Sequence, residues 1–157
     1  MKPRPVATGP DYVADAIALG VDDRMIDRLV RHFYAEVRRD PALAPVFDAR
    51  IADWEPHLGR MCDFWSSVML RTGCYHGQPM PMHVRLPVDA AHFDRWLALF
   101  EASARQVCGA AADLFIDRAR RIAQSLELGV AATRGLMLRM DERLPPLAAE
   151  VTEGSVS

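Results

Sequence analysis

The apolar residues of this chain recur three and four positions apart, which is the spacing that gathers side chains on one face of an α-helix. The clearest run is Ile26, Leu29, Val30, Phe33 and Val37. Asp22 is placed to cap this helix, and Pro41 ends it because a proline disfavours helical geometry in the residue before it. A shorter helix is predicted ahead of it over residues 11–19, closed by Gly20.

Three longer helices are predicted downstream, each with one apolar face. They run from Asp53 to Gly73, from Asp89 to Gly109, and from about Asp113 to a stop at Gly129. Residues 41–50 are expected to form a compact turn, residues 74–81 a loop, and residues 131–140 a further helix. The sequence holds no strand-like alternation and no internal repeat, so the predicted fold class is all-α.

The length of 157 residues fits one domain. We expect residues 1–20 to form an N-terminal extension with a short helix, and residues 21–140 to form the domain itself. Pro145 and Pro146 introduce a small, polar-ended segment. Residues 141–157 are therefore expected to form a mobile tail.

Charge and composition narrow the classes of partner. The 19 basic and 21 acidic side chains leave a formal net charge of −2, which provides no broad positive field for nucleic acid or a membrane surface. No apolar run approaches the ~18 residues of a membrane span. The first ten residues lack the apolar core of a signal peptide, so we expect a cytoplasmic protein. Three cysteines without paired spacing indicate no disulfide framework.

The candidate chemistry lies in the histidines and aromatic residues, since phosphate-loop, CxxC, HExxH and GxSxG motifs are absent from the sequence. His83 lies in a short apolar stretch bounded by Pro81 and Pro87. Burial of an imidazole there is costly unless both ring nitrogens find partners. A metal on one nitrogen and a carbonyl or water on the other would supply them, and a satisfied core histidine is the competing interpretation.

The other histidines carry weaker signals. His32 and His76 are interpreted as surface residues, and His92, one turn before Trp96, as a residue at the edge of the core. His57 lies on the same helix as Leu58, Met61 and Trp65, one turn before Met61, and can face the interior. A packed or boundary histidine is the competing interpretation.

Several short segments between residues 33 and 100 carry a resemblance to a known family. They are FYAEVR at 33–38, PVF at 45–47, WEPH at 54–57, FW at 64–65, YHGQP at 75–79, His83, and FDRWLALF at 93–100. Together they resemble the group III truncated haemoglobins, a bacterial branch of short globins. The pattern YxGQP, then a histidine, then FxxWLxLF is more specific than any piece alone.

The resemblance implies that residues 21–140 form a truncated globin domain, a sandwich of two helices on two, around a pocket for haem b (iron protoporphyrin IX). It implies that His83 is the proximal ligand of the iron. Tyr34, His57 and Trp96 would form the polar distal set, and Phe47 the aromatic wedge against the porphyrin. The link from Phe47 to the next helix is shorter than in some relatives. His57 could therefore point to solvent as a gate.

Further residues are candidates for contact with the haem. The candidates for the apolar lining are Met61, Phe64, Trp65, Leu86 and Phe93. Arg60 and Arg85 are candidates for pairing with the haem propionates.

The distal donors favour retention and reaction of a ligand over its easy release. Tyr34 offers a hydroxyl and Trp96 an indole N–H to a bound diatomic ligand such as O2, CO or NO. Nitric oxide oxidation and peroxide turnover are the candidate enzyme activities. Either would need a separate electron donor or reductase as partner.

Three alternatives stay open on the residues themselves. A haem protein could bind or sense oxygen or another diatomic ligand without turning it over. A helical interaction module without a cofactor would use the same histidines and aromatic residues as core. A zinc site from Cys74, His76 and His83 is the weakest alternative, because its spacing matches no familiar ligand pattern.

Overall fold

Helices account for most of the chain that the computed structural model describes, namely residues 10–75, 86–139 and 141–147. The α-helices of these ranges are α1 (Pro10–Ala18), α2 (Asp23–Val37), α3 (Ala44–Asp48), α4 (Trp54–Leu70), α5 (Ala90–Cys108) and α6 (Ala112–Thr133). A turn of 3-10 helix, Gly109–Ala111, joins the last two. No strand occurs in these ranges, which confirms the all-α prediction. None of the helices found there is long and apolar enough to cross a bilayer.

α2 forms where the apolar spacing and the cap both predict it. The Asp22 carboxylate accepts a hydrogen bond from the Met25 backbone N–H at 2.8 Å, which satisfies one free donor of the first turn. The buried face of the helix consists of Ile26, Leu29, Val30, Phe33, Tyr34 and Val37. This face packs against both α4 and α5, and α5 in turn packs along α6. The result is two helix pairs, α2 with α4 and α5 with α6, in contact through α2 and α5.

Aromatic rings fill the junction of these helices. Phe100 stacks with Trp65 on α4 and with Trp96 on α5, at ring-centroid distances of 5.0 Å and 5.5 Å. Phe33 on α2 meets Phe100 edge to face at 5.3 Å. Such pairs contribute about 0.5–1.5 kcal/mol each beyond the burial of their area. The ring cluster therefore fixes how α2, α4 and α5 sit against one another.

The last helix differs from the prediction. α6 does not stop at Gly129 but continues to Thr133, and the helix expected over residues 131–140 is wrong. A glycine inside a helix costs only about 1 kcal/mol relative to alanine. Val130 and Ala131, which are 0% and 1% exposed, continue the buried face and outweigh that cost. The helix ends at Thr133, and Gly135, two residues later, takes a φ of +75° that suits glycine.

The turn expected over residues 41–50 and the end of α4 differ in detail from the predictions. Within the predicted turn of residues 41–50, α3 forms with Pro45 in its first turn. α4 ends at Leu70, ahead of Gly73, because Arg71 takes the left-handed conformation with φ +53°.

α1 contacts α4 and buries Tyr12 in the main core. Residues 1–9 and 148–157 of the expected extension and tail lie outside the described residues.

One buried carboxylate ties the end of α2 to α5. Asp40 is 4% exposed and accepts hydrogen bonds from the backbone N–H groups of Ala42 at 3.1 Å and Leu43 at 3.0 Å. Arg95 on α5 donates to the same carboxylate through Nε. Burial works to raise the pKa of Asp40, but the hydrogen bonds from Arg95, Leu43 and Ala42 together lower it below its usual value.

We expect Asp40→Asn to lower the free energy of unfolding by about 1–3 kcal/mol at pH 7, because hydrogen bonds to a charged group are lost. The stabilisation from the ionised form is complete above the unfolded pKa, about 3.9, and is lost as the pH falls through the lower folded pKa. Urea unfolding at pH 7 and at pH 3 should therefore show a smaller difference between variant and wild type in acid.

The matched control is Asp53→Asn, since Asp53 begins α4 without a side-chain capping bond. It should unfold as the wild type does at both pH values. An Asp40→Asn variant with unchanged stability at pH 7 would contradict the role given to this carboxylate.

Candidate functional site

A cavity of about 380 Å³ lies between α2, α4, α5 and α6. This volume is within the range of about 300–1,000 Å³ common for ligand sites. The cavity is lined by all the predicted site residues that the structure describes: Tyr34, Phe47, His57, Arg60, Met61, Phe64, Trp65, Leu86, Phe93 and Trp96. The predicted His83 and Arg85 lie outside the described residues.

Sequence reasoning missed other parts of the wall. These residues are Leu43, Val46, Asp63, Cys74, Tyr75, Val88, His92, Ile122, Ala123 and Leu126. The apolar members were missed because a residue that lines a cavity and a residue that fills a core share the same helical spacing. Only the packing of one helix on another separates the two.

Tyr34 brings a hydroxyl into this largely apolar cavity. It follows Phe33 on α2, so when Phe33 enters the ring cluster, Tyr34 is rotated by about 100° toward the cavity. Tyr34 is 7% exposed, and no residue in the described ranges forms a hydrogen bond with its hydroxyl. Burial raises the pKa of Tyr34 well above its ordinary value. The hydroxyl therefore keeps its proton at neutral pH and is available as a donor.

His57 lies on the cavity wall against Tyr34. The two rings meet edge to face with centroids 5.1 Å apart, and Trp54 packs perpendicular to the imidazole at 5.6 Å. The first turn of α4 holds Trp54 and His57 three residues apart, which places both on the side that faces α2. His57 is half-buried in this position.

Trp96 comes to the cavity from α5. Its ring stacks on Phe100 one turn later at an interplanar angle of 14° and meets Phe33 edge to face at 5.4 Å. The neighbouring Arg95 is held by the buried Asp40. α2, α4 and α5 thus bring Tyr34, His57 and Trp96 to the same cavity. Most of the other side chains that line it are apolar.

Two other histidines, His32 and His92, form hydrogen bonds that the sequence did not predict. His32, predicted as a surface residue, is half-buried, and its Nδ1 lies 2.8 Å from Oγ of the fully buried Ser103. The close packing of α2 on α5 brings these two side chains together. His92 closes a capping box at the start of α5, where its Nδ1 accepts from the Asp89 backbone N–H at 3.1 Å, and it also lines the cavity.

The zinc alternative gains no support from the described part of the chain. All three cysteines are free, and Cys74 is exposed. Residues 10–75, 86–139 and 141–147 contain no group of three or more potential metal ligands. His76 and His83, the other members of that alternative, lie outside these ranges.

Comparison with known proteins decides the family. Residues 16–125 match the bacterial-like globins, a span that covers well over half of the chain. The chain belongs to the bacterial-like globin family. It is 35% identical over 88 residues to the group 3 truncated haemoglobin ctb of Campylobacter jejuni, a match that covers 53% of this chain and 69% of that protein.

Solved structures agree with this assignment. The crystal structure of the group III truncated haemoglobin from Campylobacter jejuni superposes with a TM-score of 0.65 and 32% identity, over 68% of this globin and 88% of that chain. The group II truncated haemoglobin of Bacillus anthracis gives a TM-score of 0.61 at 24% identity, over 71% of this globin and 93% of that chain, and shows the shared fold.

Membership of this family makes the protein a haem-binding globin, and the cavity fits such a cofactor. A porphyrin is a flat apolar ring with two carboxylates at one edge, so it needs apolar walls and a basic group near the opening. Phe47, Met61 and Phe93 are among the apolar walls, and the exposed Arg60 lines the same cavity. Tyr34 adds a donor without a protein partner in the described ranges.

We expect Tyr34→Phe and Tyr12→Phe to differ in stability. The Tyr12 hydroxyl lies 3.1 Å from Met69 Sδ and 3.2 Å from the carbonyl oxygen of Leu114, so its removal should cost about 1 kcal/mol. Removal of the Tyr34 hydroxyl should leave stability within about 0.5 kcal/mol or raise it, because no protein hydrogen bond is lost.

Urea unfolding of the ferrous protein without added ligand measures both variants under equal conditions. A loss in Tyr34→Phe as large as that in Tyr12→Phe would show that the Tyr34 hydroxyl has a structural partner.

Proposed function

We propose that this globin holds haem b in the described cavity and retains small diatomic ligands there for redox chemistry, namely nitric oxide oxidation or peroxide turnover, rather than for transport. The observation that carries the proposal is the buried Tyr34, whose side chain lines the cavity together with Trp96. An electron donor on a separate partner completes the proposed cycle.

His83 is the proposed proximal ligand, as the family resemblance implies. One observation in the described part of the chain supports this proposal: Leu86, which follows His83 by three residues in the sequence, lines the cavity.

The haem iron, when bound, offers an open coordination position to a diatomic ligand. The Tyr34 hydroxyl and the Trp96 indole N–H would each donate to that ligand, and their apolar bodies exclude water from it. A hydrogen bond to a charged acceptor contributes about 1.5–3 kcal/mol, so each donor slows ligand escape by roughly tenfold or more. His57, in ring contact with Tyr34, helps to hold that side chain in place.

The arginines are proposed partners of the haem carboxylates. Arg60 lines the cavity and is exposed, which suits a cation that meets the polar edge of the cofactor in water. Arg85 is proposed for the same role from its place two residues after His83.

Absorption spectra test the proposal directly. The purified protein, expressed with haem supplied, is expected to show a strong band near ~410–420 nm that shifts when the ferrous form meets carbon monoxide. A colourless protein that takes up no added haem would overturn it. Repeated consumption of nitric oxide or peroxide with a reductant present is expected, whereas stable binding without consumption would favour a ligand-binding or sensing role.

We expect Tyr34→Phe to speed oxygen dissociation by about fivefold or more, because a donor to the bound ligand is deleted. Stopped-flow displacement of oxygen by carbon monoxide measures the rate. Tyr12→Phe, which removes a hydroxyl bonded to Met69 and Leu114, is the control and should leave the rate unchanged. An unchanged rate in Tyr34→Phe would remove this residue from the ligand-stabilising set.

We expect His83→Gly to leave a weakly attached haem whose spectrum recovers when imidazole is added, since the added base fills the place of the lost ligand. His76→Gly, in the same stretch of sequence, should keep the wild-type spectrum. If His83→Gly binds haem with an unaltered spectrum, the axial ligand is another histidine, and His92 and His57 on the cavity wall become the candidates.

A further inference from the structure

A segment near the C-terminus, residues 141–147, crosses the start of α5 and the end of α6; we call it the strap. Its backbone is held at two points. The Leu144 carbonyl accepts from the Ala90 N–H at 3.3 Å, and the Leu147 N–H donates to the Asp89 carboxylate at 3.3 Å. The strap lies within residues 141–157, the expected tail, and these bonds attach it to the start of α5.

The strap inserts an apolar side chain behind the cavity wall. Leu144 is 2% exposed and packs in a small cluster with Val88, Val130 and Ala131. Leu86 and Phe93 pack against the same cluster and, like Val88, also line the cavity. Leu144 therefore supports the outer side of a wall whose inner side faces the cofactor site.

A buried carboxylate anchors the strap to α6. Glu127 is 7% exposed and follows the cavity-lining Leu126. Arg143 donates to both carboxylate oxygens through Nε at 3.0 and 3.1 Å, and the Leu144 N–H adds a third bond at 2.9 Å. A buried carboxylate needs such partners, so α6 requires the strap.

The same arginine reaches α5. Nη2 of Arg143 donates to Asp94 at 2.7 Å and lies 3.4 Å from the carbonyl oxygen of Ala90. Arg134, just past the end of α6, donates to the Leu86 carbonyl oxygen at 3.0 Å. Residues 86–90 are thus held from the outside by the strap and the end of α6 together.

We propose that the strap is a positioning element for the haem: Leu144 and Arg143 hold the Leu86–Val88 wall in place and thereby slow loss of the cofactor. This rests on the proposed function, since the wall follows the proposed ligand His83. The family match ends at residue 125, so the strap lies outside the part of the chain that this match covers.

Haem retention tests the proposal in the haem-loaded protein. Transfer of haem to excess apomyoglobin measures the dissociation rate. We expect Leu144→Ala to raise it by about tenfold or more, because a cavity opens behind the wall. The vibration of the iron–histidine bond, seen by resonance Raman in the ferrous protein, should shift or broaden, and Leu144→Met should restore both values.

The control for Leu144→Ala is the same substitution at Leu29, a fully buried residue of α2 that does not line the cavity. Leu29→Ala should destabilise the fold at least as much, yet leave the iron–histidine vibration unchanged and haem loss within about twofold of wild type. If the rate of haem loss rises in proportion to the loss of folding stability, and does so to the same extent in both variants, the proposal is overturned.

A second pair of variants tests the charged anchor without a core cavity. Arg143→Gln should speed haem loss by about fivefold, whereas Arg139→Gln, at an exposed arginine whose ion pair with Glu142 lies on the surface, should not. Equal retention in both would contradict the role of Arg143. If the wild-type protein binds no haem, the proposed function itself is overturned. If the wild type binds haem and every variant retains it equally well, only the proposed role of the strap is overturned.

Discussion

The contact of Phe33 with Phe100 is the interaction on which the rest of the structure depends. It joins α2 to α5, and Trp65 on α4 and Trp96 on α5 both stack on Phe100. Because Tyr34 is the next residue of α2, the burial of Phe33 also turns Tyr34 toward the cavity. Core packing and the placement of Tyr34 and Trp96 at the cavity are therefore one arrangement, and a shift of α2 on α5 would move both.

The apolar spacing of the sequence predicts α2, α4 and α5 well, since each begins after an aspartate and has one apolar face. The Asp22 and Asp89 side chains cap α2 and α5 with hydrogen bonds, whereas Asp53 forms no such bond at α4. It fails at Gly129, where tertiary burial of the next two residues outweighs a local preference. The strap could not be predicted either. Its partners, Glu127 for Arg143 and Val88 for Leu144, lie far away in sequence and show no local pattern.

The cavity combines apolar walls with a few polar groups, a combination that suits a site for an oriented ligand. The buried Asp40 holds Arg95 beside Trp96, so the end of α2 also helps to set the position of the second donor. Leu144 packs in one cluster with Leu86, and Arg143 donates to Asp94 on α5. Contacts that lie outside the cavity thus help to fix residues of its wall.

We propose that the Tyr34 hydroxyl points at the ligand position of a haem in this cavity. The infrared C–O stretching frequency of the ferrous protein under carbon monoxide measures this most directly, because a nearby donor draws electron density toward the oxygen end and lowers the frequency. We expect a low frequency in wild type and Tyr12→Phe and a clear rise in Tyr34→Phe. An identical frequency in all three proteins would contradict it.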